Sequence, residues 1–581
     1  MGALTTPDAP RPPDPPGPRR GSGNPRLPRS APLPRTGAAP RPAAPTTGEA
    51  PPTEAPPTSG RRRPARSPEP HPRRGPPPGH YHRPARATRE ATISVLVVDV
   101  GTSSVRAAIL RPDGRVEHVV RRPTPPATPF PGLVELDADA LAAAALDAAG
   151  EALAAGGPVQ AVGIATQRAS AIAWDATTGR ALGPGLGWQD LRTAGTCLEL
   201  QADGLRLSPN ESATKFAWLL DTHDPDRRPT TRLGTVDSWI VWHLSGGRLH
   251  VTDRSNAGVT GLLGDEASAW RPDLLQRLRV PEGALPHLVD SSGTLGVASA
   301  LPGEPPIGGI AGDQQASLVG QGCTRPGLAK ATFGTGAMLD VCVAERPAFR
   351  ARGEGGCFPI VAWSRAGQVT WGVEAIMLAA GSAVDWLVED LGVLVDAAES
   401  ERVAASADDT GGATFVPALL GLGTPQWDFG ARGAFLGVSR GVGRRQLVRA
   451  VLEGIAHSGA DLLEAAEADT GVHPATLRVD GGMSANAVFV QALADACRRP
   501  VEICREREAT TLGAGYLAGM AVGIWADEDE VADAWSPQAV VDPSDTDGGS
   551  GTGGTDAGRD RWRAAVERAR AWYPELTAVQ F

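Results

Sequence analysis

Four glycine-centred turns constrain this 581-residue chain more than any other feature. Residues 93–98 form a β-branched apolar run, which predicts a buried strand, and it ends in Asp99-Val100-Gly101-Thr102-Ser103-Ser104-Val105-Arg106. Gly101 lets backbone approach a ligand closely. The hydroxyls of Thr102, Ser103 and Ser104, with successive N–H groups, can hold phosphate oxygens. Arg106 can add a charge-assisted contact, and Asp99 can engage Mg²⁺ directly or through water. The second turn, Gly308-Gly309-Ile310-Ala311-Gly312-Asp313-Gln314-Gln315, again presents a carboxylate at a strand end. An Asp beside a bound hydroxyl can take its proton during attack on phosphorus, and Gln314 can hydrogen-bond a polyol. The third, Ala331-Thr332-Phe333-Gly334-Thr335-Gly336, offers backbone donors and one hydroxyl. The fourth, Asp480-Gly481-Gly482-Met483-Ser484-Ala485-Asn486, leaves room for a flat group against backbone. Each taken singly is equally an ordinary tight turn.

The segments between the turns read as an α/β pattern. Strands are expected at 93–98 and 105–110, with a hairpin turn at Pro112-Asp113-Gly114, then a helix at 138–155 and a strand at 159–165. Further on, strands are expected across 329–343 and at 477–479, and helices at 373–388 and 443–466. A helix at 484–497 is expected to open on Ser484 as N-cap, and an amphipathic helix is expected at 559–572. The two halves do not repeat in sequence.

Charge is unevenly distributed. Residues 1–90 hold 26 of the 53 prolines, 16 Arg, no Lys and six acids, so they carry +10, while the remaining chain carries −20. The first 92 residues lack hydrophobic periodicity and are expected to be a disordered tail. No nucleic-acid role is expected of the acidic body, which repels phosphate outside its local cationic turns. No apolar h-region opens the chain and no apolar run reaches the ~18 residues that span a bilayer, so neither a secretory signal nor a membrane partner is expected. The six cysteines lack CxxC spacing, which points to a reducing, cytoplasmic setting without disulfides or zinc. Only two lysines occur, Lys215 and Lys330.

The order Asp–Gly–hydroxyl, Gly-Asp-Gln-Gln, Gly-Thr-Gly, Asp-Gly-Gly resembles that of the actin-like ATPase (ribonuclease H-like) fold, in which two α/β domains clasp a nucleotide. More specific segments surround it. Gly163-Ile164-Ala165-Thr166-Gln167-Arg168 leads to Gly187-Trp188-Gln189-Asp190. Ser212-Ala213-Thr214-Lys215 follows, then Val251-Thr252-Asp253-Arg254-Ser255-Asn256-Ala257, then Gly433-Ala434-Phe435-Leu436-Gly437-Val438. With these the sequence resembles the FGGY carbohydrate kinases from about residue 95 to 572, most closely the branch that phosphorylates glycerol.

The resemblance implies an N-terminal kinase domain at 93–319, a C-terminal one at 320–541, a flexible loop at 542–558 and a terminal helix at 559–581. It implies ATP and Mg²⁺ as cofactors and a small polyol, glycerol foremost, as substrate, with homo-oligomer formation left open. Asp313 is implied as general base. Arg168, Asp313, Gln314, Trp188 and Asn210 are implied around the polyol, together with Met338. Thr102, Ser103, Ser104, Arg106, Thr335, Gly381, Gly482 and Asn486 are implied around ATP, and Asp99 at the metal. Four positions depart from the glycerol-phosphorylating pattern: Ala169 stands for Glu, Asn210 for Tyr, Met338 for an aromatic, and Asp385 for Gln. If the tail is an inert extension, the intact protein gives no salt-dependent nucleic-acid gel shift; a shift abolished by deleting 1–90 contradicts this.

Overall fold

The computed structural model describes residues 93–506, 509–544 and 556–579. The expected tail, and most of the expected 542–558 loop, lie outside the described residues. Thirteen strands form one sheet: β1 (Val95–Val100), β2 (Ser104–Leu110), β3 (Val116–Pro123), β4 (Ala161–Thr166), β5 (Ser292–Val297), β6 (Pro306–Gly312), β7 (Ala329–Phe333), β8 (Ala337–Val343), β9 (Phe358–Arg365), β10 (Gln368–Met377), β11 (Leu477–Asp480), β12 (Val501–Ile503) and β13 (Ala539–Val541). Their order is β13-β12-β11-β7-β8-β10-β9-β5-β6-β4-β1-β2-β3.

A repeat invisible in the sequence lies in this order. β3-β2-β1-β4-β6 and β10-β8-β7-β11-β12 run through the same arrangement. In each, an antiparallel meander is followed by two strands that add in parallel. The two copies meet where β5 and β9 pair, at Ser292 and Arg365. This duplicated sheet is the actin-like ATPase architecture expected from the turns. β1 and β4 are buried almost throughout, which is why their sequence is a continuous apolar run rather than an alternating one.

Helices cover both copies. α1 (Ala138–Gly156) is capped by Asp137, whose carboxylate accepts from Ala140 N, and lays its alanine-rich face against β1 and β2. α2 (Asp313–Gly320) starts directly at the end of β6. α3 (Gly381–Glu389) follows β10, α4 (Arg444–Thr470) fills the core over β7, β8 and β10, and α5 (Ala487–Cys497) follows β11. α6 (Ala509–Ala521) comes late in the chain yet packs on β1, β4 and β6 of the first copy and crosses α2. α7 (Asp556–Ala569) packs against a short strand outside that sheet, Thr414–Val416, and buries Trp562.

The α2–α6 crossing is closer than side chains permit. A Cβ on Gly513 would lie 1.7 Å from Ala316 O, and one on Gly320 would lie 1.9 Å from Ala509 O. Glycine at both positions is therefore a steric requirement.

Three local expectations are corrected. Residues 373–388 are not one helix: β10 runs to Met377 and α3 begins at Gly381. The helix expected from Ser484 begins at Ala487 and is capped by Asn486, while Ser484 sits in a 3₁₀ turn at Gly482–Ala485. α7 ends at Ala569 rather than 572.

Replacing Gly513 with Ala overpacks the crossing and lowers stability by about 1–3 kcal/mol. Gly150→Ala in α1, where nothing lies within 4 Å of the added methyl, leaves stability unchanged or raises it by up to about 1 kcal/mol. Thermal unfolding of the two variants checks the contrast.

Candidate functional site

At the end of β1, Asp99 faces Arg106 of β2, with 3.7 Å between carboxylate and guanidinium. Burial pushes the Asp99 carboxyl up to about 6; Arg106 opposes the shift and Asp313 adds to it. The turn is closed by Gly101 N donating to Ser104 O, and Gln167 Nε2 donates to Gly101 O. Thr102 Oγ1 accepts from Trp188 Nε1 at 3.2 Å, and Ser103 is exposed. Thus Trp188, expected at the polyol, touches the phosphate-type turn. Arg106 also donates to Thr511 at the start of α6.

Asp313 is the first residue of α2, where helix geometry turns its carboxylate back on the Gln314 N–H at 2.8 Å. Gly312 N, just before it, donates to Ser255 Oγ, and Ser255 in turn donates to Asp253. Arg168 Nε lies 3.3 Å from Asp313, and Arg168 Nη2 lies 2.7 Å from Glu374 on β10. Burial raises the Asp313 pKa, with Arg168 working against the shift. Burial also pushes Glu374 up to about 7, again against Arg168. For Arg168 itself burial disfavours the charge, but Glu374 and Asp313 outweigh it and the pKa is raised. Arg168 therefore stays a cation, clamped between two carboxylates.

A second chain of contacts runs from Gln314. Its Oε1 accepts from Lys330 Nζ at 2.7 Å. Lys330 also reaches Asp340 and Thr332 Oγ1, and Thr332 donates to Asp480 Oδ1 at 2.6 Å. Asp480 opens the fourth turn, so the second and fourth turns are joined through the interior.

Around the third and fourth turns, Gly381 N donates to Gly334 O and Ala380 N to Thr335 O, which places Gly381 on the Gly334–Gly336 turn. Thr335 and Gly482 are exposed. Gly481 has φ +88, and a Cβ there would lie 2.5 Å from Phe333 O, so this turn admits only glycine. Asn486 is close by, but its amide is committed: Oδ1 caps α5 at Phe489 N and Nδ2 donates to Ser400 Oγ.

Among the residues expected around the polyol, Asn210 is exposed and donates to Trp188 O at 3.0 Å. Lys215 Nζ donates to Trp188 O and Asn210 O. Burial lowers the Lys215 pKa to about 7 and raises that of neighbouring Glu211 to about 7. Met338 lies on β8 opposite Thr332, and Ala169 is buried with φ +61. The structure thus gathers Arg168, Asp313, Gln314, Asp99 and Arg106 around α2. It gathers Thr335, Gly381 and Gly482 around the later turns, and Trp188 and Asn210 along one wall. Glu374 lies in the 373–388 stretch whose composition predicts a helix; the alternation along 368–377 is the signal that marks it as a strand residue.

The donor set bears on a metal. Among the described residues no cluster of three or more His, Cys, Asp or Glu is placed to hold an ion alone. Asp99 is a partly buried carboxylate held above its usual pKa, with Asp313 as a like charge nearby. That pair fits a Mg²⁺ that brings most of its ligands as phosphate oxygens and water.

Two family models match in tandem. The N-terminal domain of the FGGY family of carbohydrate kinases matches residues 94–320, and its C-terminal domain matches 329–522. Glycerol kinases from Trichlorobacter lovleyi and Aromatoleum aromaticum are 41% and 40% identical to the chain, each over 82% of it and 99% of the relative. A Plasmodium falciparum glycerol kinase crystallised with ADP superposes with TM-score 0.75 at 26% identity, over 84% of this chain and 99% of that one. A xylulose kinase from Rhodospirillum rubrum shares the fold with TM-score 0.70 at 24% identity, over 82% and 98%. With both sheet copies and all four turns lying inside the matched segments, the chain belongs to the FGGY family of carbohydrate kinases.

Proposed function

We propose that the protein transfers the γ-phosphoryl group of ATP to a primary hydroxyl of a small polyol, with glycerol as the first acceptor and glycerol 3-phosphate and ADP as products. The observation that carries this is the Asp313 carboxylate, held at the start of α2 by Arg168 and near enough to Asp99 for its charge to act there. The names of relatives at about 40% identity support glycerol as acceptor.

In this reading Asp313 accepts the hydroxyl proton as the acceptor oxygen bonds to phosphorus and the bond to the ADP oxygen breaks. Arg168 and the Gln314 amide orient the polyol, and Trp188 flanks its carbon chain. Thr102, Ser103, Ser104 and Arg106 hold phosphate oxygens. Thr335, Gly381 and Gly482 line the nucleotide side, with Asn486 shaping it through the α5 cap. Bound Mg²⁺, engaged by Asp99, supplies charge neutralisation on the phosphates. The setting is cytoplasmic, where ATP is available, and no helix among the described residues is long and apolar enough to cross a membrane.

A second acceptor reading is favoured by one observation. Beside Arg168 stands a buried alanine, Ala169, and the Asn210 amide donates to Trp188 O. A pocket that lacks charged contacts there forgoes about 1.5–3 kcal/mol per missing bond to a glycerol hydroxyl. A tetritol or a ketopentose of the xylulose or ribulose type is then the alternative. ADP release measured with glycerol, tetritols and ketopentoses separates the two: the account expects the highest kcat/KM with glycerol, and a larger value with a four- or five-carbon acceptor reassigns the substrate.

Asp313→Asn lowers kcat by about 10²–10⁴-fold while ATP binding stays near normal; turnover within a few-fold of wild type contradicts the base assignment. Because burial raises the Asp313 pKa, activity is full above that value and is lost as pH falls through it. The acid limb of kcat/KM is therefore expected above the ordinary aspartate value of 3.8, and a limb at 3.8 or below contradicts it.

A further inference from the structure

The chain's cations are almost all arginine: only two of the 56 basic residues are lysine. Against such a bias, a lysine marks a place where arginine does not serve. Both lysines are fully buried, and both sit on candidate acceptor residues. Lys215 holds the Trp188 and Asn210 carbonyls. Lys330 holds Gln314.

Lys330 lies in one row across three strands: it is the register partner of Asp340 on β8, which is the partner of Glu374 on β10. Its Nζ has Asp340 Oδ2 at 2.7 Å, Gln314 Oε1 at 2.7 Å and Thr332 Oγ1 at 3.1 Å. The Asp340 contact is a close ion pair rather than a well-directed hydrogen bond, since neither carboxylate oxygen meets hydrogen-bond geometry. Three groups thus converge on one nitrogen that carries three protons. A guanidinium, planar and forked, cannot reproduce that convergence at a site with no exposure.

The consequence falls on Gln314. An ammonium group only donates, so the carboxamide must turn its oxygen to Lys330. Nε2 makes no hydrogen bond among the described residues, and its two hydrogens remain to donate. Beside it Asp313 is an acceptor. An acceptor hydroxyl can then give its proton to Asp313 while a neighbouring hydroxyl oxygen accepts from Nε2.

We propose that Lys330 is a positioning residue for the acceptor, fixing the Gln314 carboxamide so that Nε2 donates to a polyol hydroxyl. The inference rests on the kinase reading above. Steady-state kinetics with glycerol and ATP test it in the wild type, the double variant Lys330→Met/Asp340→Leu, and Gln314→Glu. The double variant removes the ion pair as a unit, and Asp480, whose charge Lys330 also offsets, keeps its hydrogen bonds from Thr332 and Ser317. Gln314→Glu keeps an oxygen on Lys330 and replaces the donor.

Both variants are expected to unfold at temperatures near wild type and to raise the glycerol KM about tenfold or more, while the ATP KM stays within about twofold. A lysine with a merely structural role would instead leave the glycerol KM unchanged in a folded double variant, and that result overturns the proposal. A normal glycerol KM in Gln314→Glu overturns it equally, whatever the double variant does. Wild-type protein that turns over neither glycerol nor any other polyol or ketose overturns the kinase reading and this proposal with it.

Discussion

Everything at this site depends on keeping several carboxylates charged inside protein. Glu374, Asp340 and Asp480 are buried and Asp99 and Asp313 are partly buried beside them, and taking a charge out of water is costly unless it is paired. The chain answers with Arg168, Arg106 and Lys330, each shared between two or more partners. The result is a connected set of side chains that links the end of β6 to the end of β11. The residues proposed for the polyol and Asp480 at the fourth turn are therefore held by one network.

The backbone makes that network possible. Duplicating one sheet arrangement places strand ends with their turns in two equivalent sets, and α2 and α6 cross between them at glycine-to-backbone contact. The close crossing puts Thr510 and Thr511 of α6 against Asp313 O and Arg106. Residues distant in sequence thereby brace both the proposed base and a proposed phosphate contact. A bulkier crossing would separate the very groups that neutralise one another.

The α/β class, the four turns and most flanking elements were legible in the sequence, because each turn pairs a carboxylate or hydroxyl with glycine at the end of an apolar run. The duplication was not. It resides in strand order and hydrogen-bond direction, which need no shared residues. Glu374 sits within 373–388, a stretch apolar enough to pass for a helix until the Leu378–Ala380 break is seen. Ser484 looked like a cap because serine is a good one, yet Asn486 two residues later supplies the bond to Phe489 N. The clamp on Arg168 and the role of Lys330 depend on side chains from different strands meeting in space, which spacing along one strand cannot reveal.

The central claim is that the phosphoryl group goes to a carbon-bound primary hydroxyl and not to water. Phosphorus NMR of the reaction with ATP and glycerol tests it most directly. The account predicts a new monoester resonance split by the two protons of an adjacent CH₂, growing in step with ADP. Inorganic phosphate appearing beside ADP with no monoester, or ADP formed at the same rate without any acceptor, would contradict it.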